Sequence, residues 1–440
     1  MIFLASGSTV WSGVGMPDTD EAKRTERPRV LLFTDRYPVL GEDEPFLTVE
    51  VRELASRVSL ILIPTTRASG PVSPLPAGVT FEGGLADYMS STGGQVAGLL
   101  GALFHRDTYG EISAFGVRAL DPRVVATVLV RGSRIFRAQR WTRRYLRAAG
   151  HVVAYSWWAS TSGYGIARAA NECGVPCVAR IHGYELYPEQ DRLGQIPFQR
   201  SGLARFDAVY SVSEAGADYL RTEYPNLAPR IHVAYLGIDP LPVQGGPSTD
   251  GTFRILSCSS CVSVKRVDLL ALSVTCILRE FPDLDFTWTH IGGGPTLAAV
   301  QSIVNLQPGL AERCSFTGSV SQSTVRALMA NEPFDAFVNV SSSEGLPVTL
   351  MEASSNGIPM IATAIGGNPE IVNSVNGRLL EANPEPRAVA SALVDVHRLP
   401  ARDRDAMRAA SRATWEAGFA AKANYAAFSD MLCDLWSETT

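Results

Sequence analysis

The residues best suited to chemistry lie in one segment, Ser341–Glu370, which reads SSSEGLPVTLMEASSNGIPMIATAIGGNPE. Pro347 opens a helical pattern in this segment and Gly357 closes it, as expected for the first position of a helix and the residue just past its end. The free backbone N–H groups at the helix N-terminus, approached through Gly345, form an anion site suited to a diphosphate.

Two glutamates flank the start of this predicted helix. Glu344 precedes the helix and Glu352 lies inside it, and at about 1.5 Å of rise per residue their carboxylates can reach opposite ends of one elongated ligand. Carboxylate oxygens are acceptors that suit hydroxyl groups. The pair therefore fits a ligand with a sugar on each side of a phosphate group.

Two further glycine turns join a predicted strand to a helix. They are Gly292-Gly293-Gly294-Pro295 and Ala364–Glu370. No Gly-Lys-Ser/Thr follows either turn, and the glycine spacing is not that of a dinucleotide fingerprint. Such turns can open at the same edge of a sheet, so we place Gly293 and Gly294 beside the ligand.

The glycine turns are positioned by predicted strands and helices. Short apolar runs alternate along the chain with segments whose apolar residues have helical spacing. Runs rich in Val, Ile and Leu and separated by helices indicate parallel sheets covered on both faces. The fold class is therefore α/β, with two doubly wound, Rossmann-like domains facing each other across a cleft. The predicted strands are Arg29–Thr34, Leu60–Pro64, Val152–Tyr155, Pro176–Ile181, Ala208–Ser211, Ile231–Ala234, Phe253–Ser257, Phe286–Ile291, Cys314–Thr317, Ala336–Asn339 and Met360–Ala362.

A turn-rich stretch without periodicity, residues 241–251, separates the two groups of strands and is a predicted linker. We therefore expect an N-terminal tail over residues 1–27, a first domain over 28–240 and a second domain over 252–414, followed by residues 415–440. Ligands of such sheets bind beyond the carboxyl ends of the strands.

The overall composition is that of a folded protein. Of the 440 residues, 46% are hydrophobic and 19% are charged, which excludes a disordered chain. The net charge of −5 argues against a protein devoted to nucleic acid, which needs a basic surplus. No stretch approaches the ~20 apolar residues of a spanning helix, and the first residues lack the basic start of a secretory signal. We expect a cytoplasmic protein with no nucleic-acid partner.

The spacing of Cys258-Ser-Ser-Cys261 is compatible with a metal or redox pair. No second pair at similar spacing completes a zinc site, and Cys258 ends a predicted strand instead of opening a helix. We therefore interpret both cysteines as small buried residues and expect no metal site.

The stretch Arg131–Arg147 holds seven arginines and no acid, interleaved with aromatic residues. A basic, aromatic, amphipathic helix is attracted to an anionic membrane surface, at roughly 1 kcal/mol per basic residue. The alternative is a solvated helix face with its aromatic residues turned inward, and nucleic-acid binding is a third interpretation that no other feature supports.

The glutamate and glycine motifs together resemble the signature of the family 4 retaining glycosyltransferases, which have the GT-B fold. The resemblance extends from about Arg29 to the C-terminus and includes features of members that build bacterial polysaccharides. It implies that Glu344 contacts the donor sugar and Glu352 the nucleotide ribose, and that a final helix around Trp415–Leu435 crosses back to the first domain. The motif residues are Glu344-Gly345-Leu346-Pro347, Glu352-Ala353, Gly357-x-Pro359 and Gly366-Gly367-x-Pro369-Glu370.

The segment Ser257–Leu270 resembles the loop in which this family carries a catalytic Arg-x4-Lys pair over the donor diphosphate. Lys265 matches the lysine, whereas Ser260 stands at the arginine position. Arg266 and Arg180 are the candidates to replace the missing charge. The donor-binding residues implied by the resemblance are Glu352, Gly345, Leu346, Pro347, Ser260, Arg266, Gly293, Gly294, Gly318 and Val320.

The segment Ala179–Tyr187 resembles the family segment that bears a cleft-lining His-Gly pair. His182 would lie close to the donor sugar, as a catalytic residue beside Lys265 and Glu344. Gly41–Glu53 resembles the loop and helix after the first strand. The residues implied on the acceptor side are Glu44, Phe46, Tyr184 and Glu185.

The resemblance implies a hexosyltransferase-type enzyme that moves a sugar from a nucleotide-diphosphate donor to a hydroxyl acceptor with retention, without a metal or another cofactor. The acceptor would be a glycan, a lipid-linked intermediate or a small molecule. Because Ser260 replaces the family arginine, a non-catalytic nucleotide-sugar-binding partner of another transferase is an alternative. A nucleotide-sugar epimerase is less favoured, because it would need more acids and histidines in the cleft.

Overall fold

Two parallel β-sheets form the framework of the computed structural model, which describes residues 27–39, 45–70, 72–241 and 245–438. The first sheet has seven strands in the order β3-β2-β1-β4-β5-β6-β7, and the second has six in the order β10-β9-β8-β11-β12-β13. The strands are β1 (Arg29–Thr34), β2 (Ser59–Pro64), β3 (Val79–Phe81), β4 (Val153–Ser156), β5 (Cys177–Ile181), β6 (Ala208–Ser211), β7 (Ile231–Val233), β8 (Phe253–Cys258), β9 (Phe286–Ile291), β10 (Cys314–Phe316), β11 (Ala336–Asn339), β12 (Met360–Thr363) and β13 (Gly377–Leu380).

Helices connect the strands and cover both faces of each sheet. They are α1 (Pro45–Ala55), α2 (Gly84–Ser90), α3 (Thr92–Phe104), α4 (Arg106–Ala114), α5 (Pro122–Ala149), α6 (Thr161–Cys173), α7 (Gly183–Leu186), α8 (Gln199–Leu203), α9 (Glu214–Glu223), α10 (Val267–Glu280), α11 (Leu297–Asn305), α12 (Gln322–Asn331), α13 (Val348–Ser355), α14 (Asn368–Ile371), α15 (Pro386–Arg398), α16 (Ala401–Gly418) and α17 (Ala421–Ser437).

Strand β1 shows why an apolar run becomes a central parallel strand. Its side chains alternate between two core clusters, because successive residues of a strand point to opposite faces. Val30 and Leu32 pack in one cluster, whereas Leu31 and Phe33 pack in the other. Both faces are therefore covered, as expected for an all-parallel sheet, and the predicted two-sheet α/β fold is confirmed.

The predicted strands agree with the structure to within one residue at each end, and β1, β6, β9 and β11 have the predicted bounds. Two edge strands, β3 and β13, were not predicted. They are three and four residues long, and most of their side chains are partly or fully exposed. Neither therefore contains the buried apolar run by which the other strands are identified.

The chain passes between the two sheets at two adjacent places. Ile238 pairs with Ala420, and the hydroxyl of Tyr425 donates a hydrogen bond to the carbonyl of Gly237 at 3.1 Å. Beyond this point α17 packs against α1. Trp415, where we placed the start of the final helix, lies instead inside α16, because the helix breaks at residues 419–420.

Some predictions concern residues whose structure is not described. Residues 1–26 of the predicted tail and residues 242–244 of the predicted linker lie outside the described ranges. Within those ranges, no helix has both the length and the apolar character needed to cross a membrane.

Candidate active site

A cavity of about 500 Å³ lies between the two sheets, beyond the carboxyl ends of their strands. It is bordered by residues that follow β5 and β6 of the first sheet and β8 and β11 of the second. Parallel sheets expose ligand-binding loops at this edge. Of the residues predicted from the sequence, eight line the cavity: His182, Tyr184, Ser260, Lys265, Glu344, Gly345, Leu346 and Pro347.

Lys265 and Glu344 form the charged centre of the cavity. The Lys265 Nζ atom donates to both carboxylate oxygens of Glu344, each at 2.7 Å. The Ser341 hydroxyl and the Asn339 amide donate to Glu344 Oε1 at 2.7 and 3.1 Å. The carboxylate is therefore held in one orientation, and it holds the ammonium group of Lys265 beside the helix that follows.

The first turn of α13 borders this centre. Gly345, Leu346 and Pro347 lead into the helix and line the cavity together with Val348. Pro347 has an extended backbone and is the residue before the helix, not its first residue as predicted. The unpaired N–H groups of the first turn make this end of α13 favourable for an anion.

Glu352 lies deeper in the second half, inside α13, and does not line the cavity. Its side chain is 1% exposed. Gln322 donates to its Oε1 atom, while Oε2 has no hydrogen-bond partner within the described part of the chain. Burial raises the pKa of Glu352 to about 7, and the charge of Arg326 and the Gln322 hydrogen bond only partly oppose this shift.

Neither candidate for the missing arginine charge lines the cavity, and each guanidinium is bonded elsewhere. The Arg266 guanidinium instead donates to the backbone carbonyls of Val340 at 2.6 Å and Ser341 at 2.7 Å. Arg180 is fully buried in the first half, with its guanidinium 3.0 Å from the Tyr155 hydroxyl and 3.4 Å from Glu50.

These carbonyl and carboxylate groups accept hydrogen bonds from both guanidinium groups, at positions that do not line the cavity. Lys265 is the one lysine or arginine among the described residues that line the cavity. Ser260 does line it, at the position where the resemblance expects an arginine.

The glycine turns support the loop that carries Ser260. A Cβ atom on Gly292 would lie 1.9 Å from the carbonyl oxygen of Ser259, and the Gly292 amide donates to the carbonyl of Gly318 at 3.1 Å. These loops pack backbone against backbone. Gly293 and Gly294 pack against Cys261 of this loop, and Gly318 pairs with Gly292. None of the predicted donor residues Gly293, Gly294, Gly318 and Val320 lines the cavity.

A buried histidine that the sequence did not single out also supports this loop. His290 lies between the Ser257 hydroxyl, 2.8 Å from Nδ1, and the Cys261 thiol, 3.2 Å from Nε2. Burial lowers the pKa of His290 to about 4, so the ring is neutral near pH 7. The position of His290 at the end of β9 was by itself too weak a signal to identify it from the sequence.

All seven cysteines are free thiols.

His182 faces the charged centre from the first half. Its Nδ1 atom lies 3.2 Å from Glu185 Oε2, and its Nε2 atom has no partner among the described groups. Burial, and secondarily the charge of Arg180, hold the pKa of His182 well below its usual range. The imidazole is therefore neutral, and the ring of Trp158 lies 4.4 Å from it.

The four residues implied on the acceptor side have different surroundings. Tyr184 lines the cavity and is 63% exposed. Glu185 is buried and accepts a hydrogen bond from the backbone N–H of His182 at 3.1 Å, so it positions the histidine and does not line this cavity. Glu44 lies outside the described residues, and the side chain of Phe46 is likewise not described.

Comparisons with known proteins agree with this geometry. The model of the family described as "Glycosyltransferase Family 4" matches residues 85–240, and that of "Glycosyl transferases group 1" matches residues 252–398. The two matches fall on the two halves that border the cavity.

Two curated relatives are similar in sequence to part of the chain. A phosphatidylinositol N-acetylglucosaminyltransferase subunit of Arabidopsis thaliana is 29% identical over 34% of this chain and 33% of the relative. The GDP-mannose-dependent alpha-(1-6)-phosphatidylinositol monomannoside mannosyltransferase of Mycobacterium tuberculosis (strain CDC 1551 / Oshkosh) is 26% identical over 54% of this chain and 64% of the relative. The matched region thus spans less than two thirds of either relative.

Solved structures share the fold over nearly the whole chain. The lipopolysaccharide outer core galactosyltransferase WaaB has a TM-score of 0.63 at 13% identity and covers 92% of this chain and 99% of its own. Anabaena Alr3699/HepE in complex with UDP and glucose has a TM-score of 0.61 at 15% identity and covers 93% and 100%. The solved structures show that the chain has the two-sheet GT-B fold. The two family matches, one on each half, place it among the glycosyltransferases described as family 4 and group 1.

Proposed function

We propose that the protein transfers a hexose from a nucleotide-diphosphate donor to a hydroxyl acceptor. The observation that carries this proposal is the Lys265–Glu344 pair, which stands at the N-terminal turn of α13 and faces His182 across the cavity. A cation and helix amides suit the diphosphate, and a carboxylate with a neutral imidazole suits the hydroxyl groups of a sugar.

Each residue then has a distinct role in the reaction. Lys265 and the amides of α13 stabilise the negative charge that develops on the departing nucleotide diphosphate. Glu344 accepts hydrogen bonds from the donor sugar, and the Nε2 atom of His182 contacts the same sugar from the first half. Glu352 does not line the cavity, but its Oε2 atom is unpartnered, and a ribose hydroxyl donates to it once side-chain movement admits the nucleotide to this part of the second half.

We propose that the reaction retains the configuration of the sugar. The bond between the anomeric carbon and the phosphate oxygen breaks, and a bond to the acceptor oxygen forms on the same face. The acceptor proton passes to the leaving phosphate oxygen, so the nucleotide-sugar is the co-substrate and neither a metal nor another cofactor is required. The names of the M. tuberculosis and Anabaena proteins, which mention GDP-mannose and UDP with glucose, support a nucleotide-linked hexose as donor.

A Lys265→Ala substitution tests this proposal. A panel of nucleotide-sugars is scored for nucleotide release and for thermal stabilisation, with Lys422→Ala as the matched control because Lys422 is exposed on α17. We expect Lys265→Ala to abolish nucleotide release while the melting temperature stays near that of the wild type. Near-normal turnover in this variant would refute the proposed site.

The serine at position 260 favours one alternative, a non-catalytic partner that binds nucleotide-sugar for another transferase. Among the described residues that line the cavity, Lys265 is the one lysine or arginine, and its ammonium group is already paired with Glu344. Donor binding without nucleotide release, in the presence of an extract that contains acceptors, would support this alternative over the enzyme.

We also infer that the first half binds peripherally to an anionic membrane surface, as a cytoplasmic protein at its inner face. On α5, Arg140, Arg144 and Arg147 are exposed and share one face, whereas Trp141 and Tyr145 are half-buried and stack at 4.9 Å. The neighbouring helix α3 adds exposed apolar side chains, which suit an interfacial helix. They are Val96, Leu99, Leu100 and Phe104.

A further inference from the structure

We propose that the acceptor carries a phosphate group and that Arg134 of α5 binds it, in a branched groove on the first half of the molecule. This inference rests on the proposed transferase function and specifies the substrate class of its acceptor side.

Two further cavities adjoin the active-site cavity on the first half. One has a volume of about 480 Å³ and lies at the ends of β1 and β4, and the other has a volume of about 280 Å³ and lies beside α7. Tyr184 lines both of them and the active-site cavity as well. The three cavities therefore form one branched groove around Tyr184, which is large enough for an acceptor longer than a single sugar.

Arg134 stands where the two outer cavities meet. It lines both of them, it is exposed, and it forms no hydrogen bond or ion pair with any described residue. The neighbouring Arg131 differs, because it is paired with Asp191 at 2.5 Å. The acids of the two outer cavities are Asp35 in the larger one and Glu185 and Asp191 in the smaller one, and none of them forms an ion pair with Arg134. Arg134 thus supplies a positive charge without an ion-pair partner inside the groove and outside the active-site cavity.

The groups around Arg134 also suit an anion. Ser160, Thr161 and the start of α6 line both outer cavities, and the Ser160 side chain makes no capping hydrogen bond to the helix. The N–H groups of this first helical turn carry the positive end of the helix dipole. A guanidinium beside hydroxyl and helix N–H donors is a recurrent arrangement for phosphate.

Two buried polar groups show that the smaller cavity is built for a polar ligand. Tyr164 and Glu185 line it and are 1% and 4% exposed. The Tyr164 hydroxyl and the Glu185 Oε1 atom both lack a hydrogen-bond partner among the residues described. Unsatisfied buried polar groups are costly and rare, and sugar hydroxyl groups would satisfy both.

Binding of a hexose 1-phosphate tests this site, measured by calorimetry and compared with binding of the methyl hexoside that lacks the phosphate. The measurement is made in a Lys265→Ala background, so that the donor-side cation does not contribute. We expect Arg134→Gln to weaken hexose 1-phosphate binding about tenfold or more, as for loss of a charged hydrogen bond. Arg140→Gln is the matched control on the same helix and outside all three cavities, and it should leave this affinity unchanged.

A second arm distinguishes a free sugar phosphate from a lipid headgroup. Vesicles of phosphatidylcholine with and without phosphatidylinositol replace the hexose 1-phosphate. Binding that depends on Arg134 only with the phosphatidylinositol vesicles supports a phospholipid acceptor, and dependence only with hexose 1-phosphate supports a soluble one. Equal affinity of wild-type and Arg134→Gln protein for both probes, or equal binding of methyl hexoside and hexose 1-phosphate, would overturn the proposal.

Nucleotide release without acceptor separates this inference from the proposed function. Release by the wild type decides the transferase function, and the control Arg140→Gln, which lies outside all three cavities, should release nucleotide from the donor at the wild-type rate. If the wild type releases no nucleotide, the transferase function fails, whereas phosphate binding at Arg134 is still decided by the calorimetry.

Discussion

Gly183 and Gly345 bring the backbones of the two halves into direct contact across the active-site cavity. A Cβ atom on Gly183 would lie 2.5 Å from the amide nitrogen of Gly345, and one on Gly345 would lie 2.6 Å from the amide nitrogen of Gly183. No side chain fits between these backbones. The contact places His182, next to Gly183, opposite Glu344, next to Gly345.

We therefore predict that Gly345→Ala separates the two halves and lowers transfer strongly. A displacement of about 1 Å of reacting groups can reduce a rate about 100-fold, and we expect a loss of this order in kcat/KM. The melting temperature should change little. Gly110→Ala is the matched control, because its added Cβ meets no atom within 4 Å. Wild-type activity in Gly345→Ala would show that this close approach is dispensable.

Glu370 forms a second link between the halves. Its carboxylate accepts hydrogen bonds from the backbone N–H groups of Glu214, at 2.9 Å, and Ala215, at 3.0 Å, which begin α9. Replacement by Gln removes the charge from this helix N-terminus, and we expect it to weaken closure by about 1 kcal/mol.

The expected result for Glu370→Gln is a raised KM for acceptor and a larger radius of gyration by small-angle X-ray scattering. Glu381→Gln, which neutralises an exposed carboxylate on the same half, should leave both quantities unchanged. A radius of gyration unchanged in Glu370→Gln would contradict a role in closure.

Glu352 should make both stability and nucleotide binding depend on pH. Its pKa is raised from 4.5 to about 7, so the folded state binds more protons than the unfolded state between these values. This contribution to stability is full below the unfolded pKa and is lost as the pH rises through about 7. The loss is about 3 kcal/mol at most, and the free energy of unfolding of Glu352→Gln should lack it.

Nucleotide binding provides the second test of Glu352. If its carboxylate accepts from the ribose, binding favours the ionised form and releases a proton near pH 6.5. Calorimetry of UDP or GDP binding in two buffers of different ionisation enthalpy measures this release. An equal proton count in the wild type and Glu352→Gln would exclude the contact.

The exposed arginines of α5 should determine binding to anionic vesicles. Each basic residue near such a surface contributes about 1 kcal/mol, so replacing Arg140, Arg144 and Arg147 by Gln should weaken vesicle binding at least about 100-fold. The control variant removes the same charge from exposed sites on the second half. Its substitutions are Arg279→Gln, Arg387→Gln and Arg402→Gln.

Co-sedimentation with vesicles of phosphatidylglycerol measures this binding. Equal binding of the two triple variants would show that net charge, and not the α5 surface, attracts the membrane. Phe104→Ser tests the apolar part of the surface separately, since Phe104 is 85% exposed and its removal costs no core packing.

The sequence by itself determined the two sheets and the position of the charged centre. Buried parallel strands such as β1 and β11 are mostly apolar runs, so their bounds follow from residue type. Glu344 was identified because it lies between a predicted strand and the helix that follows, where parallel sheets bind ligands. Lys265 was identified from the resemblance of its segment to a loop of the family. The exposed edge strands β3 and β13 lack that pattern, and so they were missed.

Only the tertiary structure decided where the long side chains point. Arg266 and Arg180 were both candidates for the missing charge, but carbonyls and a carboxylate from distant parts of the chain hold them elsewhere. Arg134 could not be distinguished from the other arginines of its helix, since its place in the groove depends on β1, β4 and α7. The direction of a flexible side chain depends on partners distant in sequence, and local residue patterns do not encode them.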